Sequence, residues 1–210
     1  NLMGFEAFSM LPYDDPKLFE EMVETLTVIK ERQIDQLAGK IQVDMVHYWE
    51  DICYNAGPIV QPQAFHDIVV PRMKRVDKRL RAELGVKFVS LDCDGNFLAL
   101  MDGWLEAGVN IMMPCEVDAG MDILMLQEKY GDRCGFHGGI QKKALIEGKE
   151  AIDRELRRVL PAVPPTPAAG RRSAPARQAA PGPPAARCAP GPRRRGCRPP
   201  HARVLGCHGI

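Results

Sequence analysis

The side chains best suited to chemistry fall in a few short stretches. "LDCDGN" at 91 to 96 sets Asp92 and Asp94 on either side of Cys93. "WED" at 49 to 51 supplies Glu50 and Asp51, "PCEVD" supplies Glu116, and "GFHGGIQK" supplies His137 followed by Gly138 and Gly139. Paired carboxylates can orient or protonate a substrate, or hold a hard divalent cation, and a thiol between them adds a nucleophile or a softer ligand. Each group also has a plainer role. The aspartates can cap a helix starting near Phe97, Glu116 can complement a helix dipole, and a lone His is commonly structural. The two glycines allow close approach of backbone to a ligand, and amides at the start of the following helix can hold a carboxylate or phosphate.

Alternation along a strand separates these candidates. Phe88, Ser90, Asp92 and Asp94 share one face of "VKFVSLDCD", and Val89, Leu91 and Cys93 share the other. Cys93 therefore belongs with the aliphatic side chains that pack under helices, while the aspartates face the ligand side. The same rule groups Cys115 with Ile111 and Met113 and turns Cys134 away from His137. Cys93, Cys115, Cys134 and His137 thus match no closed zinc site. A site for a harder ion on Asp92, Asp94 and Glu116 is allowed and not required.

The elements that must carry these groups alternate regularly. Asp14 or Asp15 before Pro16 starts a helix whose apolar residues run Leu18, Phe19, Met22, Val23, Leu26 and Ile29, with Gly39 as its end. "IQVDMVHYW" reads as a strand, and residues 63 to 84 as a helix that Pro71 kinks or divides. Then come strand "VKFVSLD", helix "FLALMDGWLEAG", strand "VNIMMP", helix "AGMDILMLQEKYG" and strand "CGFHGG". A long amphipathic helix, "QKKALIEGKEAIDRELRRVL", follows. Strand–helix alternation implies right-handed crossovers and a parallel sheet, either half of an eight-stranded barrel or an open doubly wound sheet. Polar groups at the carboxyl ends of four successive strands mark the active face of both.

Composition breaks near Pro161. Residues 1 to 160 carry 27 Asp and Glu against 19 Lys and Arg, a net charge of 19 − 27 = −8. Residues 161 to 210 hold no Asp, Glu or Lys, nine Arg and 12 of the 18 prolines. Such a segment cannot bury enough apolar surface to offset its ordering entropy, so disorder is expected. Its Ala, Arg, Pro and Gly mixture reads as a non-native, out-of-frame end rather than a selected basic arm, and no nucleic-acid partner is expected. The seven cysteines form no CxxC pair, which points to a reducing, cytoplasmic setting, and no apolar run is long enough to span a membrane. The start at Asn1 suggests that upstream sequence is missing.

Taken in order, "DMVHYWEDICYNAGPIVQPQAFHDIVVPRMKRV", "VKFVSLDCDGN", "WLEAGVNIMMPCEVDAGMD" and "HGGIQKKALIEGKEAIDREL" resemble the second half of the uroporphyrinogen decarboxylase superfamily. Zinc-dependent, cobamide-linked methyltransferases belong to the same superfamily. The resemblance covers roughly residues 1 to 160. It implies an α/β fold, part of a (β/α)8 barrel, with its site at the carboxyl ends of the strands. Glu50 or Asp51, with Ala56, Gly57 and Pro62, then occupy a substrate-side turn. Gly138, Gly139, Ile140 and Gln141 occupy a second loop, where Gln141 departs from the usual acidic residue. The methyltransferase "HxCG" motif, laid on Gly95, places its His on Asp92 and its Cys on Asp94, and its third zinc ligand beyond residue 160.

The resemblance therefore leads to a carbon–carbon lyase of the porphyrin type acting on a small-molecule substrate without a cofactor. Asp92, Glu50, Asp51 and His137 are the expected catalytic groups, and Asp94, Glu116, Gly138 and Gly139 the substrate contacts. The alternative is methyl transfer with a corrinoid protein partner and a divalent metal on Asp92 and Asp94. A homodimer is a further expected partner state. A third reading is an inactive fragment, because half a barrel exposes two sheet edges.

Overall fold

The computed structural model describes residues 3–162 and the backbone of 204–208. Two helices open the chain, α1 (Phe5–Asp14) and α2 (Pro16–Leu37). The second begins as its sequence dictates: the Asp15 side chain accepts a hydrogen bond from the Leu18 N–H at 3.0 Å, and Pro16 occupies the first turn, where its missing donor costs nothing. The first helix was not expected. It carries Pro12 in its interior, the residue that argues most strongly against a helix.

Strand β1 (Met45–Trp49) leads into the small hairpin β2 (Cys53–Tyr54) and β3 (Gly57–Pro58). A short helix α3 (Pro62–Ala64) and a π-helical turn (Phe65–Val69) precede α4 (Val70–Leu84). Pro71 divides the segment as its sequence implies, and it lies in the first turn of α4. Gly85, left-handed at φ 75°, ends that helix. Strand β4 (Phe88–Asp92), helix α5 (Met101–Ala107), strand β5 (Ile111–Cys115), helix α6 (Ile123–Tyr130) and strand β6 (Gly135–Gly138) complete the alternation.

The long helix expected after β6 is two helices, α7 (Lys142–Glu147) and α8 (Lys149–Val159). Gly148, at φ 99° and ψ −170°, breaks the pattern. A last strand, β7 (Val204–His208), pairs in parallel with β1. Disorder was expected across 161 to 210; within that segment 204–208 form this strand, and residues 163–203 and 209–210 lie outside the described residues.

The main sheet is parallel throughout, in the order β6-β5-β4-β1-β7. From β1 to β6 each new strand of this sheet adds on the same side, the succession of an arc of a (β/α)8 barrel, and β7 lies on the other side of β1. The two faces differ sharply. Val46, Tyr48, Val89, Leu91 and Met112 are buried with the helices, whereas Trp49 and Phe88 on the opposite face are 54% and 46% exposed. Trp104 of α5 anchors the covered side, fully buried with the Phe65 ring edge-on at 5.4 Å.

Helices α2 and α4 pack through Phe19, Val23 and Ile34 against Met73, Val76 and Leu80, all buried. Along their rim Arg72, Arg75 and Arg79 form ion pairs with Glu20, Glu24, Glu31, Asp35 and Glu83. Among the described residues no helix is long and apolar enough to cross a membrane.

Candidate functional site

The carboxyl ends of the parallel strands bring most of the expected groups together. In the β1–β4 register Trp49 lies opposite Asp92 and His47 opposite Ser90, so His47, Trp49, Ser90 and Asp92 share the inner face. The ladder runs one step further through the Glu50 N–H donating to the Asp92 carbonyl at 2.9 Å. This fixes the start of the turn that carries Asp94.

Asp92 and Asp94 are both held above the ordinary carboxylate range. For Asp92 the largest cause is burial, partly offset by His47 and His137 and reinforced by the charge of Asp51. For Asp94 burial again leads, with the charges of Glu116, Asp51 and Asp92 adding to it. Burial thus leads in raising both aspartates, and the acidic neighbours that add to it come from three different strand ends. Neither is a helix cap. Helix α5 starts only at Met101, and in the intervening turn the Asn96 side chain accepts from the Leu98 N–H at 3.2 Å.

Glu116 behaves oppositely. Its carboxylate pairs with Lys142 and accepts the Gly95 N–H at 3.0 Å, and these contacts, Lys142 first, hold it below the ordinary range. It therefore ties the end of β5 to the Asp94 turn and to α7. Lys142 remains 70% exposed at the side chain, beside Asp94 and Glu116.

Asp51 and His137 are exposed and lie near Asp92. Glu50 does not join them. It continues the alternation of Val46 and Tyr48, so it points to the covered face, where its buried carboxylate sits 3.6 Å from Lys30 of α2. The expectation of a catalytic Glu50 is corrected accordingly: the strand's period of two places it under the helices.

Gly138 and Gly139 lie in a cleft of about 140 Å³ between the loops after β5 and β6, lined by residues 114–118 and 138–142. Their freedom is used for packing. A Cβ on Gly138 would stand 2.7 Å from the Cys115 nitrogen and one on Gly139 2.5 Å from the Ile123 Cβ, at φ 109° and 79°. Gln141 caps α7 by accepting the Lys143 N–H at 3.3 Å, while its amide donates to Asp118 at 2.8 Å.

The four described cysteines are buried. Cys93 is fully buried, with the hydrogen bond to Cys53 and then burial pushing its thiol up. Cys115 and Cys134 are buried too, with thiols pushed up to about 12 and about 11. Cys115 reaches the core with Met112 and not by the alternation expected with Ile111 and Met113, because the β5–β6 register shifts between Met112 and Cys115. Among the described residues no three His, Cys, Asp or Glu side chains converge as a metal ion requires, so Asp92 and Asp94 find no third ligand there.

The sequence places Ser90 on the face of Asp92 but does not pair it with His47. His47 Nδ1 lies 2.8 Å from Ser90 Oγ, and His47 Nε2 lies 4.0 Å from Asp92 Oδ2. Strand alternation already places His47 on the face of Trp49, within the strand and not after its end.

The uroporphyrinogen decarboxylase (URO-D) family model matches residues 1–167. The chain belongs to the uroporphyrinogen decarboxylase family. Comparison with curated proteins and with solved structures gives no match. Within the family frame, the acid cluster stands where barrel enzymes carry their chemistry, at the carboxyl ends of consecutive strands.

Proposed function

We propose that this chain is a carbon–carbon lyase that releases CO2 from a carboxylated tetrapyrrole, with Asp92 as the proton donor. The observation that carries the reading is the Asp92 carboxyl, desolvated on the inner face and pushed toward its protonated form beside Asp51. Decarboxylation breaks the bond between the substrate carbon and its carboxylate, leaves the electron pair on that carbon, and requires one proton to fill it. A carboxyl whose pKa is raised holds its proton more readily and can supply it. Donation leaves Asp92 as a carboxylate, which the nearby His47 and His137 favour.

Asp94, exposed at the rim, is the substrate-orienting partner in this reading, and Lys142 and Lys143, 70% and 69% exposed, are the cations a polycarboxylate meets first. Asp51 acts through its charge, which adds to burial in raising the Asp92 pKa. The four described cysteines are free thiols, in keeping with a reducing cytoplasm. Methyl transfer with a corrinoid protein draws less support. A softer ligand set would need thiolates, and Cys93 and Cys115 are buried with raised pKa values.

The test is anaerobic incubation of the full chain with uroporphyrinogen, with stepwise carboxyl loss read by chromatography of the oxidised porphyrins. We expect carboxyl loss, deuterium in each new methyl group in heavy water, and a fall of about 10²- to 10⁴-fold in Asp92→Asn. An inert wild-type chain, or an Asp92→Asn protein of unchanged rate, overturns the proposal.

A further inference from the structure

We propose that Trp49 and Met113 are the two walls of a slot over Asp92, and that one flat pyrrole ring of the substrate stacks on the Trp49 indole in that slot. The inference rests on the lyase reading and names the part of the site that holds the ring. Three residues, one from each of three adjacent strands, carry it.

Trp49 ends β1, and the sheet sets it opposite Asp92 of β4, which in turn stands opposite Met113 of β5. Residues in register on neighbouring parallel strands share a face, so indole, carboxyl and thioether form a row across the open side of the sheet. The row lies at the carboxyl ends of the strands, where Asp51 and Asp94 add their charges. Trp49 is 54% exposed and Met113 half-buried, so both walls keep surface to give to a ligand. Phe88, also exposed on this face, does not share the role. It stands at the amino end of β4, four residues and about 13 Å from Asp92.

The spacing suits one ring. Neighbouring strands lie about 4.8 Å apart, so the Trp49 and Met113 backbones stand about 10 Å apart across Asp92. A flat ring in contact with a wall on each side needs about 7–8 Å between the walls' centres. The indole supplies a face for stacking, and the Met113 sulfur supplies the soft contact that aromatic rings favour. Asp92, at the floor of the slot, then meets the rim of the ring, where a pyrrole carries its carboxylated arms. The same apolar walls keep water from the carboxyl, in line with burial as the largest cause of its raised pKa.

The probe is uroporphyrin, a flat, fully oxidised ring with the same carboxylated arms, and its binding to the full chain is read by equilibrium dialysis. We expect Trp49→Leu to weaken binding about tenfold and Trp49→Phe, which keeps an aromatic face, to stay within about threefold of wild type. Met113→Ala should weaken binding about threefold. In the decarboxylation assay Trp49→Leu should raise KM by about the factor by which it raises the dissociation constant, with kcat changed less. Wild-type affinity in folded Trp49→Leu overturns the inference, and so does a Trp49→Phe protein as weak as Trp49→Leu. A wild-type chain that does not hold uroporphyrin overturns it as well. Binding is read without turnover. Ring-dependent binding in a chain that decarboxylates nothing therefore sinks the lyase reading alone, whereas turnover with binding indifferent to Trp49 sinks only this inference.

Discussion

Lys30 of α2 places its Nζ 3.6 Å from Glu50 Oε1 across the covered face of the sheet, with the Tyr48 ring 5.1 Å beneath the ammonium. The Lys30 side chain is 15% exposed and that of Glu50 1%. A carboxylate taken so far out of water is tolerable only with a countercharge. Removing the lysine should therefore cost more than removing both charges. We expect Lys30→Met to lower unfolding free energy by about 3 kcal/mol in urea, and Lys30→Met with Glu50→Leu to recover much of that loss. Equal losses in the single and double variants would contradict a coupled buried pair.

Asp92 and Asp94 are held above the ordinary aspartate value of 3.8, mainly by burial. An acid whose folded pKa exceeds its unfolded one favours the folded state fully below the unfolded value. That contribution disappears as pH rises through the folded value. At pH 7 both groups are therefore a liability to folding. Asp92→Asn and Asp94→Asn should each raise the urea midpoint at pH 7 and have no such effect near pH 3. A lowered midpoint at pH 7 in both variants would show that the aspartates are structural.

How much of this could be read from the chain differs residue by residue. Cys93 on the covered side and Asp92 on the open side followed from the period of two along β4 alone. Glu50 did not, because it was grouped with Asp51 by position after the strand, although the same period runs on through it. The break between α7 and α8 was hidden because helical patterning continues across Gly148, whose left-handed φ the pattern does not register. Cys115 was placed in the core for the wrong reason, since a shift of register is a property of two strands and cannot be seen in one. His47 and Ser90 become a pair only when β1 and β4 are laid side by side.

Glu116 has the opposite sign to its neighbours. Lys142 and the Gly95 N–H hold it below its ordinary value of 4.5. Its contribution to stability is thus present above the unfolded value and is lost as pH falls through the folded one. Glu116→Gln should lower stability at pH 7 by about 1–2 kcal/mol, the worth of a hydrogen bond to a charged group discounted for the exposed lysine. The deficit relative to wild type should shrink toward zero near pH 3. A deficit that persists unchanged in acid would show that shape and not charge is what Glu116 provides.

Gly95 connects these carboxylates to the hairpin below them. It sits at φ 79°, donates its N–H to Glu116 at 3.0 Å, and lies so close to β2 that a Cβ would stand 2.7 Å from the Tyr54 carbonyl carbon. The neighbouring Asn96 N–H donates to that same Tyr54 carbonyl at 2.9 Å, so the turn cannot retreat without losing a hydrogen bond. Alanine here meets two separate penalties, a left-handed backbone and a backbone clash that no rotamer relieves. We expect Gly95→Ala to cost about 2–3 kcal/mol and to release Glu116. Glu116→Gln should therefore add little further loss in the Gly95→Ala background. Full additivity of the two substitutions in urea unfolding would show that the Gly95–Glu116 contact carries no energy of its own.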